Sequence, residues 1–402
     1  MTEDPLVTED ALVLADRTIN LVLRDTVRFG VGAIEALPRL LRSASAERAF
    51  IVTDPGVVAS GVAEWVRAAL AAGGIETGMF DRVEPNPGTL TVARGAAALR
   101  SFGTAGVAIV PVGGGSAMDT AKALSLLAMN DGDVWDLGYD DPGLVPGRPL
   151  VAVPTTAGTG AETNSFGVIT NDATGRKGYI GHPSLLPVAC VLDPALTVGL
   201  PPTATAATGI DAMTHSLESL LSKNPNPFAE AIALAVIRTV GEWLPRAVDD
   251  GADLEARSRL LFAAHLAGVG QASGTGVGLV HAIGHAIGAR GNLPHGTSLA
   301  VVLPQILAFD LPVRTRELAL VAVALGAASP AAPAGEAATA AVEGIRRLLE
   351  RVGQRRTLRE LGIGPTLHLT IVRDALDDPA IRNTPRLPTA ADVIEILAAV
   401  AG

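Results

Sequence analysis

Apolar and polar residues alternate along the first half of the chain in blocks that fit strands and helices in turn. Strands that alternate with helices of this length indicate βαβ units and a mostly parallel sheet. The apolar runs are nearly continuous, which is typical of strands buried on both faces of a sheet. The predicted strands lie at 49–53, 75–83, 106–112 and 150–154, and the predicted helices at 57–72 and 89–102.

The pattern changes at about residue 200. Few strand signals follow, and long segments rich in Ala and Leu repeat with a helical period. We therefore predict two domains, an α/β dinucleotide-binding (Rossmann-like) domain over 1–198 and an all-α metal-binding domain over 199–402. The predicted helices of the second domain lie at 204–222, 227–248, 254–268, 277–289, 314–325 and 388–400, the last with Thr389 as its N-cap.

Composition narrows the classes of partner. The chain has 402 residues, 48% of them hydrophobic, and a net charge of −10, which disfavours nucleic acid. The N-terminus is acidic and lacks the basic region of a secretory signal, and apolar runs such as 318–328 fall short of the ~20 residues that a membrane span needs. We expect a cytoplasmic protein with no membrane partner. Cys190, the single cysteine, lies in an apolar run and is predicted to be a buried thiol.

A glycine run follows the third predicted strand. The segment 113–122 reads GGGSAMDTAK, and it joins a strand to a helix. Glycines let the backbone approach a phosphate closely, and the helix N-terminus offers unpaired N–H groups. Gly113, Gly114 and Gly115 are therefore candidates for dinucleotide binding. The alternative is local, because Ser116 and Asp119 also match a capping box.

Two further polar positions follow predicted strands. Asp54 ends the first strand and suits an adenosine ribose hydroxyl, which favours NAD over NADP; alternatively it is only a turn residue before Pro55. The segment 154–162, PTTAGTGAE, follows the fourth strand. Its small and hydroxyl side chains could line a ligand crevice, or they could form an ordinary turn.

Histidines and a carboxylate are concentrated in the second half. Asp211 and His215 are four residues apart, and His281 and His285 repeat that spacing, which puts each pair on one face of a helix. His295 follows in a Pro-His-Gly loop. One carboxylate and several imidazoles suit Fe²⁺ or Zn²⁺, so we predict a metal site.

The remaining histidines lack such neighbours. The segment 281–285 lacks the glutamate of an HExxH protease, which argues against that class. We assign His182, His265 and His368 structural or surface roles. Glu218, one turn beyond His215, is predicted to lie outside the ligand set or in solvent.

Together these segments resemble the iron-containing (group III) alcohol dehydrogenase family, from about residue 20 to the C-terminus. The resemblance rests on 113–122, 154–162, GIDAMTHSLE at 209–218, GLVHAIGH at 278–285 and PHG at 294–296. It implies a dehydroquinate synthase-like architecture, NAD, and Fe²⁺ with Zn²⁺ as the alternative. It also implies metal-dependent hydride transfer between NAD and a primary or small functionalised alcohol, or the reverse reduction of an aldehyde. The protein is expected to be a homodimer or a larger homo-oligomer.

The resemblance also implies roles for individual residues. His285 is implied to be a non-ligand near the substrate, where it would act as a proton relay, and Asp54 would meet the adenosine ribose. The implied metal ligands are Asp211, His215, His281 and His295. The implied pyrophosphate residues are Gly114, Gly115, Ser116 and Asp119, and Thr155, Thr156, Thr159 and Lys177 would line the cofactor cleft.

Two segments depart from the family pattern. Family members often carry Phe-Ser-Asn upstream of the third ligand, where this chain has Ala272, Ser273 and Gly274. The C-terminal pocket segment reads AIRNTP at 380–385. Both predict a roomier or differently shaped substrate pocket. The complete Asp/His set argues against the metal-free maleylacetate reductases.

Two other classes of function compete with this hypothesis. A dehydroquinate synthase-type lyase would use NAD and a metal, but it needs a basic pocket for a phosphate, and few basic residues besides Arg290 lie in the metal region. A metal-dependent hydrolase or a non-catalytic binding protein would bind no nicotinamide.

Overall fold

The computed structural model describes residues 19, 21–23, 26–138 and 143–402. The chain forms two compact units. The first contains Leu23–Leu200 and Gly251–His265, and the second contains Pro201–Asp250 and Leu266–Gly402. The units change at Leu200, beside the predicted boundary at 198/199. The return of 251–265 to the first unit has no signal in the sequence pattern.

The first unit is built on a parallel sheet of six strands in the order β1-β8-β5-β4-β2-β3. The other two strands pair as an antiparallel hairpin. This architecture, with the helical second unit, confirms the predicted fold class. The strands are β1 (Val27–Phe29), β2 (Arg48–Val52), β3 (Glu76–Phe80), β4 (Val107–Gly113), β5 (Val151–Pro154), β6 (Phe166–Thr170), β7 (Lys177–Gly181) and β8 (Ala189–Leu192).

Helices cover both faces of the parallel sheet. Alternate residues of β2 enter different cores, with Phe50 in one and Ile51 in the other. The prediction of one helix over 57–72 is wrong, because the chain breaks at Gly61, whose φ of 82° lies in the left-handed region. The helices of this part are α1 (Leu37–Ser43), α2 (Pro55–Ala59), α3 (Val62–Ala72), α4 (Thr89–Phe102) and α5 (Gly115–Leu127).

The described residues of the second unit form helices joined by turns and loops, with no β-strand among them. Three of its helices have no counterpart among the predicted ones, namely those at 295–310, 334–351 and 368–376. Thr389 caps the last helix through a capping box with Asp392, as predicted for its N-cap. Helix α8 (Leu254–Gly270) begins in the first unit and ends in the second. The remaining helices are α6 (Pro202–Leu221), α7 (Pro227–Asp249), α9 (Leu279–Gly291), α10 (His295–Asp310), α11 (Thr315–Ala324), α12 (Ala334–Arg351), α13 (His368–Leu376) and α14 (Ala390–Ala399).

One helical stretch, His295–Val313, is long and apolar enough to cross a membrane by length and composition alone. It contains α10 and has a mean hydropathy of 1.5, but 61% of it is buried inside the protein. A buried core helix meets the same criteria, so this stretch is weak evidence for a membrane span. Within its own unit, α10 packs against α6 and α9.

Candidate metal and cofactor sites

The first unit brings the predicted nucleotide-binding loops to one edge of its sheet. From β2 the chain continues to β3 on one side, and it then crosses back to β4 on the other side of β2. The direction in which strands are added therefore reverses between β2 and β4. In parallel α/β sheets, ligands bind beyond the carboxyl ends of the strands at such a point. Asp54 follows β2 and Gly114 follows β4, so both lie at this position.

The glycine run packs so closely against the threonine loop that a side chain on Gly114 or Gly115 would have to displace a threonine side chain. A Cβ atom on Gly114 would lie 3.2 Å from the side chain of Thr156, and one on Gly115 would lie 3.0 Å from Thr159. The amide of Thr155 donates to the carbonyl oxygen of Gly113 at 3.0 Å. The structure therefore brings together two loops that the sequence analysis treated separately.

The capping-box alternative for Ser116 and Asp119 is wrong. Helix α5 begins at Gly115, and its N-cap is Gly114, which offers no side chain to the first-turn amides. Ser116 therefore lies inside the helix, and its carbonyl oxygen accepts from the Thr120 hydroxyl at 2.8 Å. Because no side chain caps this helix, its N-terminal N–H groups suit an anionic ligand.

Asp119 and Lys177 lie near each other, one turn into α5 and on β7. Burial raises the pKa of Asp119 to about 6, while the charges of Lys122 and Lys177 oppose that shift. Lys177 donates from Nζ to Oδ1 of Asn86 at 3.0 Å. At neutral pH a carboxyl with this pKa is largely ionised, and an ionised carboxylate would repel a pyrophosphate, so the charge of Asp119 does not favour its predicted role. That role stays a prediction.

Asp54 caps helix α2. Its Oδ1 accepts from the amides of Gly56 at 2.8 Å and Val57 at 3.0 Å, as the turn-residue alternative predicts. Its Oδ2 faces the glycine run, because a Cβ atom on Gly113 would lie 3.4 Å from it. One carboxylate oxygen therefore serves the local fold, and the other points to the predicted nucleotide site.

Lys122 supports the threonine loop in a way that the sequence analysis did not predict. The side chain is buried, and its Nζ donates to Ala161 O at 2.7 Å, Asn164 Oδ1 at 2.6 Å and Phe166 O at 2.6 Å. A buried ammonium needs such a set of acceptors to offset its lost hydration. Lys122 thereby fastens α5 to the segment that follows Thr159. Its only signal in the sequence is its position in the glycine motif.

The second unit brings the predicted metal ligands together. Asp211 and His215 lie on α6, His281 lies on α9, and His295 begins α10. Nε2 of His281 lies 3.6 Å from Asp211 Oδ1, and Nε2 of His295 lies 3.4 Å from it. In the part of the chain that the structure describes, one group of residues could hold an ion, with its ligand atoms within 4.8 Å of one another: Asp211, His281 and His295.

His215 lies beside this group and not within it. Its Nε2 is 3.8 Å from Asp211 Oδ1, and its ring stacks on that of His281 with 4.7 Å between the centroids. The fourth ligand therefore stays a prediction.

The donor atoms fit a divalent cation. Asp211 Oδ1 and His281 Nε2 are buried and have no hydrogen-bond partner, an arrangement that is costly unless a cation satisfies both atoms. Burial acts to raise the pKa of Asp211. The three neighbouring imidazoles nevertheless hold that pKa well below its usual range; they belong to His215, His281 and His295. A carboxylate with imidazoles is a donor set for Fe²⁺ or Zn²⁺.

Glu218 holds one of the predicted ligands in place, in agreement with its prediction as a residue outside the ligand set. His281 bonds through Nδ1 to Glu218 Oε2 at 2.5 Å, and the amide of Val280 donates to Oε1 at 2.6 Å. Because Nδ1 is engaged, His281 presents Nε2 to the cluster. The carboxylate also makes the imidazole a better donor to a metal.

Replacing Glu218 by glutamine is expected to weaken metal binding by about 10- to 100-fold, the usual cost of losing such an outer contact. Gln keeps the size of the side chain but removes the charge behind His281. Competition with a chelator, read by metal content after dialysis, measures the change. The variant Glu255→Gln, on the exposed surface of α8, is the matched control. Equal metal affinity in Glu218→Gln and the wild type would contradict this role.

His285 lies beside the cluster and is paired with a carboxylate that the sequence analysis missed. Its Nδ1 lies 2.8 Å from Oδ2 of Asp378, and its ring stacks on His295 with 5.4 Å between the centroids. Burial lowers the pKa of His285 to about 4, although Asp378 opposes the shift. His285 is therefore a neutral imidazole at physiological pH. An acidic pair before Pro379 is the only sequence signal of this contact.

Asp310, at the end of α10, is a buried acid with no role in the sequence analysis. It is 3% exposed, its Oδ1 lacks a hydrogen-bond partner, and it lines a small cavity with Glu218 and Asn383. Burial, with the negative charge of Glu218, raises the pKa of Asp310 to about 7. In the folded protein this carboxyl therefore ionises only near neutrality.

We expect Asp310→Asn to stabilise the protein at alkaline pH and not at acid pH. The pKa of Asp310 is about 7 in the folded protein against an ordinary value of 3.8, so the folded state loses stability as the pH rises from about 4 to 7. The full penalty is at most about 4 kcal/mol. Urea unfolding at pH 4.5 and pH 8 should show a much larger gain at pH 8, because most of the penalty develops between these two pH values. Asp377→Asn, at an exposed position, is the control. An equal gain at both pH values would contradict the titration.

The residues outside the predicted sites also have definite contacts. His265 is buried and bonds through Nδ1 to Glu162 Oε1 at 3.0 Å, and His182 caps a turn through the amide of Ser184. These are structural roles, as predicted. Cys190 is a reduced thiol with no exposed surface, and its Sγ donates to the carbonyl oxygen of Glu162 at 3.4 Å. This confirms the prediction of a buried cysteine.

Comparison with known proteins places the chain in a family. The model of the iron-containing alcohol dehydrogenase family matches residues 25–194, and that of its C-terminal domain matches 205–401. A probable alcohol dehydrogenase, EutG, of Salmonella typhimurium is 35% identical over 92% of this chain and 91% of its own. An NAD-dependent methanol dehydrogenase of Bacillus methanolicus is 33% identical over 92% of this chain and 96% of its own. The crystal structure of a 1,3-propanediol oxidoreductase matches with a TM-score of 0.92 and 33% identity, over 96% of this chain and 100% of that one.

The chain belongs to the iron-containing alcohol dehydrogenase family. This confirms the predicted resemblance and the predicted activity, that of a metal-dependent oxidoreductase acting on CH–OH groups. It also confirms the predicted cofactors, NAD and iron. The lyase alternative gains no support from these relatives.

Proposed function

We propose that the protein oxidises a primary or small functionalised alcohol with NAD, and reduces the corresponding aldehyde in reverse. The observation that carries this proposal is the group formed by Asp211, His281 and His295, whose ligand atoms lie within 4.8 Å of one another. Support comes from relatives that act on such compounds, among them a methanol dehydrogenase and a lactaldehyde reductase.

Asp211, His281 and His295 would hold a divalent cation, with His215 as the fourth ligand. When bound, that cation supplies Lewis acidity that eases loss of the hydroxyl proton, and NAD accepts the hydride. The chain contributes the geometry, because Glu218 fixes the ring of His281. His285, adjacent to the group but bonded elsewhere, would accept the proton from the alcohol.

The loops of the first unit would hold NAD. Gly113, Gly114, Gly115, Ser116 and Asp119 would take the pyrophosphate, and Thr155, Thr156, Thr159 and Lys177 would contact the rest of the cofactor. The free Oδ2 of Asp54, near Gly113, would accept from the adenosine ribose. A 2′-phosphate would meet this carboxylate as a like charge, so we propose NAD rather than NADP.

The segment that replaces the Phe-Ser-Asn of relatives has an irregular backbone. Gln271–Thr275 forms a π-helical turn, and Gly274 has a φ of 104°. Asn383, in the second divergent segment, donates from Nδ2 to Val277 O at 3.0 Å, two residues beyond the end of this turn. With Ala272 in place of a phenylalanine, we propose a pocket wide enough for substituted alcohols.

Metal reconstitution tests the proposed function. The protein would be chelated and then reloaded with Fe²⁺, with Zn²⁺ or with no metal, and each form assayed with NAD(H) and NADP(H) against a panel of alcohols and aldehydes. We expect NADH to accumulate in a metal-dependent way, and substituted alcohols to be accepted beside short ones. Activity that survives complete chelation would contradict the proposal. Turnover without accumulation of NADH would favour a lyase.

We also propose a cytoplasmic homodimer. Among the described strands, β1 lies at an edge of the parallel sheet and carries Phe29, which is 46% exposed. Its ring lies 5.1 Å from that of Phe262, which is 43% exposed, and Val31 beside them is 64% exposed. An apolar edge of this kind favours pairing with a second copy. Light scattering after size exclusion should give twice the mass of the chain, and Phe29→Lys should lower it to that of the monomer.

A further inference from the structure

We infer that Asp378 is a positioning residue that holds His285 in the tautomer protonated on Nδ1, so that Nε2 is free to accept the substrate proton. The inference rests on the proposed function, in which His285 takes that proton. Asp378 lies in the segment between α13 and the turn Pro379–Asn383, and it belongs to none of the motifs that carry the family resemblance.

The two oxygens of Asp378 have separate partners. Oδ1 accepts from the amide of Ala380 at 2.8 Å, which starts the turn at 379–383, and Oδ2 lies 2.8 Å from Nδ1 of His285. The backbone thus fixes the side chain, and the second oxygen has one orientation toward the imidazole. The side chains of His285 and Asp378 are 18% and 13% exposed, so little water competes for this contact.

This arrangement determines which nitrogen of His285 carries the proton. An ionised carboxylate only accepts hydrogen bonds, so Nδ1 must be the donor and Nε2 keeps its lone pair. Contacts with His285 and the Ala380 amide hold the pKa of Asp378 below its ordinary value against the effect of burial, which supports the ionised form.

The pair therefore has a definite task in alcohol oxidation. As the hydride leaves the carbinol carbon for NAD⁺, the hydroxyl proton passes to Nε2 of His285, and an imidazolium forms. The carboxylate of Asp378 stabilises that positive charge. In aldehyde reduction the same proton returns from Nε2 to the oxygen.

The contact with the Ala380 amide makes Asp378→Asn a selective test. In the variant, the Ala380 backbone N–H still needs the side-chain oxygen as its acceptor. The side-chain NH₂ group therefore faces His285 and must donate to Nδ1. That bond selects the opposite tautomer, with the proton on Nε2 and no lone pair for the substrate. We expect kcat to fall by about 100-fold, a typical contribution of general acid–base catalysis. Metal content and the KM values for alcohol and NAD should stay within about twofold of the wild type.

A double-mutant cycle separates this role from a structural one. In a His285→Ala background, Asp378→Asn should cause no further loss, because the two residues act as one unit. Asp377→Asn, at the exposed neighbouring position, is the control and should behave as the wild type. Losses that multiply in the double variant, or a wild-type kcat in Asp378→Asn, would overturn the inference.

A spectroscopic measurement tests the tautomer independently of turnover. In Zn²⁺-reconstituted protein, the ¹⁵N chemical shifts of the His285 ring should show a proton on Nδ1 and a bare Nε2. A proton on Nε2 in the wild type would overturn the inference. If the wild type oxidised no alcohol, the proposed function would fail, while this measurement would still decide the His285 and Asp378 pairing.

Discussion

Replacing His281 by alanine is expected to remove the metal and lower kcat/KM for alcohol by at least about 10³-fold, since Lewis acidity is worth several kcal/mol. His281 contributes a buried nitrogen that has no other partner, and it lies 3.6 Å from Asp211 Oδ1. Its loss also leaves Glu218 as a buried carboxylate without its principal partner. Metal analysis after dialysis and NADH absorbance measure the two effects.

A histidine of the first unit supplies the control for this variant. His182→Asn keeps a side chain that can cap the turn at Ser184, and it should leave metal content and activity unchanged. Circular dichroism distinguishes loss of metal from loss of fold. Unchanged metal content and an unchanged rate of alcohol oxidation in a folded His281→Ala protein would show that His281 is not a metal ligand.

The second large effect is expected from Gly296→Ala, next to His295. A Cβ atom on Gly296 would lie 1.9 Å from the carbonyl oxygen of Ala207 on α6, a contact with backbone that no rotamer relieves. Helix α10 must then move away from α6. Overpacking of a core costs about 1–3 kcal/mol and occasionally more, and we expect the upper end here. Because α6 carries Asp211 and α10 carries His295, separating the two helices also moves these ligands apart. We therefore expect both metal content and stability to fall.

Urea unfolding and metal analysis measure both consequences. The matched control is Gly335→Ala in α12, where an added Cβ atom has nothing within 4 Å. That variant should gain up to about 1 kcal/mol, since alanine favours a helix over glycine. A Gly296→Ala protein as stable as the wild type would show that α10 can shift without cost.

Local patterns were sufficient to predict the α/β unit and much of the site. The apolar run at 106–112 corresponds to β4 (Val107–Gly113), whose seven residues are all buried, and a strand buried on both faces needs no polar alternation. The spacing of Asp211 and His215 also predicted their common position from sequence alone, because residues four apart share a helix face. These predictions depend on one segment at a time.

Predictions failed where a distant contact determines the local structure. The segment 57–72 has a helical period throughout, yet Gly61 adopts a left-handed conformation and begins a new helix. Helix α10 was not predicted, because a helix that is apolar around its circumference shows no amphipathic period; it is buried against α6 and α9. The capping box at Ser116 failed because α5 starts at Gly115, where the threonine loop packs against the glycines.

The amino-acid sequence by itself determined the alternation of strands and helices, the change to a helical second half, and the types of residue able to bind a metal and a dinucleotide. Only the tertiary structure decided which of these residues meet, because each pairing joins segments far apart along the chain. Glu218 reaches His281 across 63 positions, and Asp378 reaches His285 across 93. Packing of the helices closes these distances, and with them it determines which nitrogen of each histidine faces the metal or the substrate.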